Sequence, residues 1–288
     1  MKSKFISISL GLLPLTLSLL AFESAPRHYG VKEFPHQEIF KKEFSIKSDE
    51  GAILFLGNVS GGIEIEGYEG DKIILELIKN INSNSRESTL KGVEEIQFKT
   101  IQEGNSVWIF MGSPYASFDR TTSSYTYKNN CGDKSCYDYS FQLNYKIKVP
   151  KNIDLKIQNV DKGSISINNV NSSKIVVSNV VGSIVLNKVL GAIEAKTVEG
   201  NVEIDLEGTP PAHCNFVTVN GNINAILPKE INAGIRYEIR KGKFKNDFIK
   251  SKNVKEVTNF VKGRLDIGNS RVLLNFNLIS GNIEINSK

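Results

Sequence analysis

Histidine is scarce in this 288-residue chain: His28, His36 and His213 are its only three. Cysteine also occurs three times, methionine twice and tryptophan once, as Trp108. Two of the three histidines fall in a polar, proline-containing stretch near the N-terminus. A histidine-built metal centre or acid–base relay therefore has little to draw on. No His-Glu-x-x-His, Gly-x-Ser-x-Gly or phosphate-binding Gly-Lys loop is present. No metal or other cofactor is expected. No long amphipathic helix is visible, and Leu90–Gln97 is the best candidate for a short one. Charge of one sign is weakly in excess: the formal +5 becomes +3 once Lys2 and Lys4 are set aside with an N-terminal leader, too little to argue for nucleic acid. The densest basic run, Arg240–Lys245, reads as a solvated strand or turn, with anionic-surface binding as its alternative.

What the chain does contain is a phrase that returns: Val, any residue, Gly, any residue, Ile or Val, any residue, apolar. It reads VSGGIEI at Val59–Ile65, VVGSIVL at Val180–Leu186, VLGAIEA at Val189–Ala195, VEGNVEI at Val198–Ile204 and VNGNINA at Val219–Ala225. It returns as VKGRLDI at Val261–Ile267 and ISGNIEI at Ile279–Ile285, with a looser copy, VDKGSISI, at Val160–Ile167. Glycine turns with positive φ at no steric cost. The residues two and four after it share one strand face, because strand side chains alternate. They are apolar (Ile184 and Leu186, Val202 and Ile204), and those between are mostly polar. Each fully buried Ile or Val contributes about 1.5–3 kcal/mol. One unit cannot offset its own chain entropy, so units must stack.

The spacing predicts how. Steps between phrases are close to multiples of nine or ten residues, one strand plus one turn. Two units make a coil of about 18–21 residues, in the range of β-solenoid rungs. An antiparallel meander is the rival. The solenoid is preferred because one turn chemistry recurs throughout, whereas a meander alternates two kinds of end. The fold class is therefore all-β: a single-stranded parallel β-solenoid with short turns and one Tyr-rich insertion.

Four stretches can be separated. Residues 1–25 read as a secretory signal peptide, with Lys2 and Lys4 before an apolar run broken by Gly11 and Pro14. Residues 26–42 are a linker or edge segment. Residues 43–149 form an N-terminal β section with an insertion at 112–140, and 150–288 the regular array. One continuous domain over 43–288 is the alternative division. Export predicts a location in the periplasm, at the cell surface or outside, with no transmembrane helix after cleavage. In an oxidising compartment Cys131 and Cys136, flanking GDKS, read as a local disulfide. Cys214 reads as a small buried apolar residue.

The succession EFSIKSDEGAILFLGNVSGGIEIEGYEGDKIILELIK (Glu43–Lys79) resembles the opening of the bacterial putative-adhesin β-repeat family, exported DUF4097-like domains. NYKIKVPKNIDLKIQNV (Asn144–Val160) is similar to its lead-in, and TVEGNVEI and TVNGNINAILP to its repeats. The resemblance runs from Glu43 to Lys288 and implies an exported β-solenoid; it carries no catalytic residues. The insertion around Gly112–Ser140 departs from the pattern.

That insertion holds the binding candidates Tyr115, Tyr125, Tyr127, Tyr137 and Tyr139. Tyrosine offers contact area at small entropic cost and a hydroxyl, and flat rings suit sugars. The competing reading makes Tyr137, Tyr139, Phe141 and Tyr145 one face of a strand. Glu64, Glu66, Glu194, Glu203, Asp205, Asp266 and Glu284 alternate with apolar residues as a solvated face would, without an evident acid–base pair. The chain thus reads as a non-catalytic cell-envelope protein, a structural or adhesin-like binding module and not an enzyme, whose partner is a glycan or envelope protein. The alternatives are a carbohydrate-active β-helix enzyme (lyase or glycosidase) and an envelope scaffold or sensor.

Overall fold

The computed structural model describes residues 33–47, 51–127, 137–248, 255–257, 260–269 and 271–288. The leader, Cys131 and Cys136 lie outside the described residues. In chain order the first elements are β1 (His36–Ser45), β2 (Ile53–Asn58), β3 (Ile63–Tyr68), β4 (Lys72–Asn82), α1 (Arg86–Glu95), β5 (Gln97–Glu103), β6 (Ser106–Gly112), β7 (Ala116–Asp119), β8 (Ser124–Tyr127) and β9 (Ser140–Pro150). There follow β10 (Asp154–Lys162), β11 (Ile165–Asn168), β12 (Asn171–Val181), β13 (Ile184–Glu199), β14 (Val202–Leu206), β15 (Cys214–Asn220), β16 (Ile223–Leu227), β17 (Ala233–Asn246), β18 (Lys255–Val257), β19 (Val261–Ile267) and β20 (Leu273–Ser287).

Two faces of parallel strands result. The first runs β6, β2, β10, β12, the second half of β13, β15, then the first halves of β20 and β17. The second runs β9, β3, β11, the first half of β13, β14, β16, then the later parts of β20 and β17. Each coil gives one strand to each face. The register partners Leu155 and Ile175, Ile175 and Ile193, and Glu194 and Asn215 lie 20, 18 and 21 positions apart. This is the β-solenoid that the spacing predicts.

Alternation puts like residues in columns. On the second face Tyr145, Ile63, Ile165, Ile184, Val202, Ile223 and Ile283 stack, all buried. On the first, Leu54, Leu155, Ile175 and Ile193 continue into Cys214, Leu274 and Ile235. The two faces close on each other through these columns.

Glycine is obligatory at one corner. Gly61, Gly163, Gly182, Gly200, Gly221, Gly281 and Gly242 all have φ between 119° and 155°. A Cβ on Gly182 would lie 2.2 Å from the carbonyl oxygen of Gly163, and one on Gly200 2.3 Å from that of Gly182. Each rung seats its carbonyl where the next lacks a side chain. Buried donors bond these oxygens: Asn58 Nδ2 to Gly61 O (3.2 Å), Asn179 Nδ2 to Gly163 O (2.8 Å), Thr197 Oγ1 to Gly182 O (3.0 Å) and Thr218 Oγ1 to Gly200 O (2.8 Å). Beside them, Asn201, Asn222 and Asn282 each accept, through Oδ1, from a backbone N–H of the next rung.

Two sequence readings are corrected and a third is extended. VKGRLDI at Val261–Ile267 is not a rung: it forms β19, antiparallel to β17. The run Arg240–Lys245, read as a solvated strand or turn, does lie in β17 with its basic side chains exposed, and it also supplies the missing corner, with Gly242 stacked on Gly281. VLGAIEA turns at the opposite corner, where Gly191 approaches Ser172 rather than the glycine column. The rungs also leave chain order, because β20, last in sequence, lies between β15–β16 and β17. The phrase's leading residue faces outward in three copies, where Val180, Val198 and Ile279 are exposed, and inward in two, where Val59 and Val189 are buried.

Both ends finish in antiparallel strands, which cover otherwise unpaired parallel edges. β1–β4–β9 and β5–β6 end one side, and β19 and β18 the other. The segment foreseen as linker or edge thus enters β1. The helix foreseen at Leu90–Gln97 forms earlier, at Arg86–Glu95, because Ser85 caps it by accepting from Ser88 N at 3.0 Å. α1 has no basic residue in its last turn. Lys79, almost wholly buried on β4, supplies that charge, donating to Val93 O at 2.7 Å and pairing with Glu38 at 2.8 Å.

Candidate functional site

The Tyr-rich insertion divides into two parts. The hairpin β7–β8 lies flat on the first face. Phe118 stacks on Phe110 (5.0 Å) and packs with Tyr125 (5.1 Å). Gly57 makes room for it, since a Cβ there would lie 2.6 Å from the Phe118 ring. The Tyr125 hydroxyl lies 2.8 Å from Gly57 O and 3.1 Å from Met111 O, and accepts from Met111 N at 2.9 Å. Arg120 covers Trp108, which stacks on Phe55. Tyr127 pairs with Ala116 in the hairpin.

The second part gathers Tyr115, Tyr137 and Tyr139 with Phe141. Tyr137 is the hub, 4.9 Å from Tyr115 edge-on, 5.2 Å from Tyr139 and 5.1 Å from Phe141. Its hydroxyl is 2.9 Å from Ser113 Oγ, and burial raises its pKa. Tyr139 is buried against Gly92 of α1 and donates to Glu95 Oε2 at 2.7 Å. Burial and the neighbouring carboxylate both push its phenol far above the ordinary value. Asp138 bonds Ser88 and Lys91, which hold its carboxyl below the usual range. Tyr137, Tyr139 and Phe141 share a cleft of about 540 Å³ with Asn80, Asn82, Gln142, Asp161 and Lys162. It opens where β4 and β9 overshoot the glycine corner.

Two further clefts, of about 500 and 370 Å³, lie on the outer side of the second face and share Asn168. One row through them is Lys146, Glu64, Ser166, Val185, Glu203 and Asn224, in register. Beside it run Lys148, Glu66, Asn168 and Asn187, with Asp205 beside Ile226. The carboxylates were foreseen on this outer face; the amides follow the same alternation, Asn168, Asn187 and Asn224 each coming directly after a buried Ile or Leu.

The carboxylates are largely engaged. Glu284 pairs with Lys245 (2.6 Å), Asp266 with Arg264 (2.7 Å), Asp205 with Lys288 and Glu194 with Lys196. Glu76, in the first cleft, is held below the usual range by Lys41. That is the opposite of what a general acid needs. Among the described residues no group of three or more His, Cys, Asp or Glu is placed to hold a metal. His213 Nδ1 accepts from Leu273 N (3.0 Å), while Cys214 is buried beside Ile193.

Residues 43–286 match the family described as Toastrack DUF4097, and the chain belongs to that family. No curated protein matches the sequence. Among solved structures, the chain is similar to a "putative cell adhesion protein" from Clostridium sporogenes at 16% identity, covering 87% of this chain and 100% of that one, with TM-score 0.41. A "putative adhesin" from Bacteroides fragilis is 14% identical over 86% and 97% of the two chains, with TM-score 0.32. A "putative lipid binding protein" from Parabacteroides distasonis is 15% identical over 87% and 96%, with TM-score 0.32.

Proposed function

We propose that this chain is an exported, non-catalytic module of the cell envelope that presents a binding surface on a rigid β-solenoid. The observation carrying this reading is the cleft in which Tyr137 and Phe141 expose part of their rings beside amide and charged side chains. Aromatic faces with adjacent hydrogen-bonding groups suit a hydroxyl-rich ligand. The glycine and asparagine ladders fix the rungs, so the cleft needs little reorganisation to bind. No helix of the described residues is long and apolar enough to cross a membrane. The test is cosedimentation of the purified chain with isolated bacterial envelopes, comparing wild type with Tyr137→Ala and Phe141→Ala. Retention of wild type and loss in both variants supports the reading. No retention, or release of reducing ends from envelope polysaccharide, overturns it.

A further inference from the structure

The two outer clefts of the second face form one trough crossing the rungs. From β9 to β16 it spans five inter-strand steps of about 4.8 Å, roughly 24 Å. Its strands have their backbone groups committed to the ladders on both sides. A peptide laid across them finds no free edge for strand addition, so recognition falls to side chains. Those side chains are Ser166, Asn168, Asn187 and Asn224, amides and a hydroxyl that both donate and accept. Val185 and the exposed Ile226 give apolar footing between them.

The charge is also informative. The chain as a whole is +5, yet the trough sets Glu64, Glu66, Glu76, Glu203 and Asp205 against Lys146 and Lys148. Lys41 and Lys288 answer Glu76 and Asp205 from its margin. The balance repels polyanions and favours a neutral or weakly cationic ligand. We propose that the trough binds an extended amino-sugar chain lying across the rungs. Its acetamido groups meet the asparagine amides, and its hydroxyls or free amines meet the carboxylates. This site is separate from the aromatic cleft.

Chitobiose and chitohexaose, with oligogalacturonate as the anionic comparison, are titrated against the full chain. Cosedimentation with chitin beads and with purified cell-wall sacculi separates the two sources of amino-sugar chains. Chitohexaose or sacculi should be bound, with the hexamer at least about tenfold tighter than the dimer. The double variant Asn168→Ala, Asn224→Ala should lose about tenfold while its melting midpoint stays unchanged. Binding to only one of the two solids supports the proposal and names the source. Absence of binding to chitohexaose and both solids, equal binding of oligogalacturonate, or loss in Tyr137→Ala but not in the asparagine variant overturns it. The last outcome would leave the aromatic-cleft reading standing.

Discussion

Replacing Gly182 by Ala separates the stacked corner from ordinary glycine turns. Gly182 has φ 133°, and its Cβ would lie 2.2 Å from the Gly163 carbonyl oxygen and 2.9 Å from Asn179 Nδ2. The backbone conformation alone costs an alanine about 1–3 kcal/mol. The oxygen it strikes belongs to a backbone held in the ladder and cannot rotate away, adding about 1–3 kcal/mol of overpacking. The expected loss is about 3–5 kcal/mol. Gly104 is the control: its φ is 57°, but its Cβ position is open, with nothing within 4 Å. Gly104→Ala should cost about 1–2 kcal/mol. For a domain of this size each kcal/mol lowers the melting temperature by about 2–4 °C. The Gly182 variant should thus melt roughly 10 °C lower, and the Gly104 variant only a few degrees lower, by circular dichroism at 218 nm or by urea midpoint. If the two variants melt together, rung-to-rung stacking at this corner is not what requires glycine, and the reasoning fails.

Three other outcomes follow from the ends and the core. Lys79→Met should destabilise by about 1–3 kcal/mol, because Val93 O and Glu38 lose their buried donor. Burial raises Glu38, but Lys79 and His36 outweigh it and hold the carboxyl below its ordinary value. That stabilisation is complete above the unfolded pKa of about 4.3 and is lost as pH falls through the lower folded value. Acid titration of stability should therefore flatten between pH 5 and 3 in the variant, and an unchanged profile would contradict the pairing. Burial pushes the Cys214 thiol up to about 11, so with Cys131→Ser and Cys136→Ser in place a thiol reagent should label the chain only in denaturant. Rapid labelling of the folded protein would contradict its burial. Tyr125→Phe should cost about 1–2 kcal/mol and make the β7–β8 hairpin more sensitive to proteases, since the hydroxyl links Gly57 and Met111; unchanged cleavage would contradict that seat.

Coil length, glycine corners and inward columns were legible because each follows from local chemistry. Gly182 and Gly200 need positive φ, and Ile184 and Val202 need the same inner face. Rung order was not legible. Every rung offers the same apolar columns, so nothing in the β20 residues says that they sit between β16 and β17. VKGRLDI misled for a related reason: alternation and a glycine suit an antiparallel strand as well as a rung. The RKGKFK rung was hidden by its charges, which point outward at the end of the stack. The second corner escaped because Asn169 and Lys188 take positive φ there where the first corner has its recurring glycine, and Gly191 of VLGAIEA falls at that corner instead of in the glycine column. At the candidate site, Tyr137 and Tyr139 meet as their spacing suggested. Tyr125 departs because the seat at Gly57 depends on a glycine some seventy residues earlier.

The account stands on rungs stacked in parallel register, with the last strand inserted before β17. Methyl NOE spectroscopy of the purified chain reads that order directly. Contacts should link Ile165 to Ile184, Ile184 to Val202, Val202 to Ile223 and Ile223 to Ile283, with Ile283 touching the Phe244 ring. Direct contact of Ile223 with Phe244, without Ile283 between them, would contradict it.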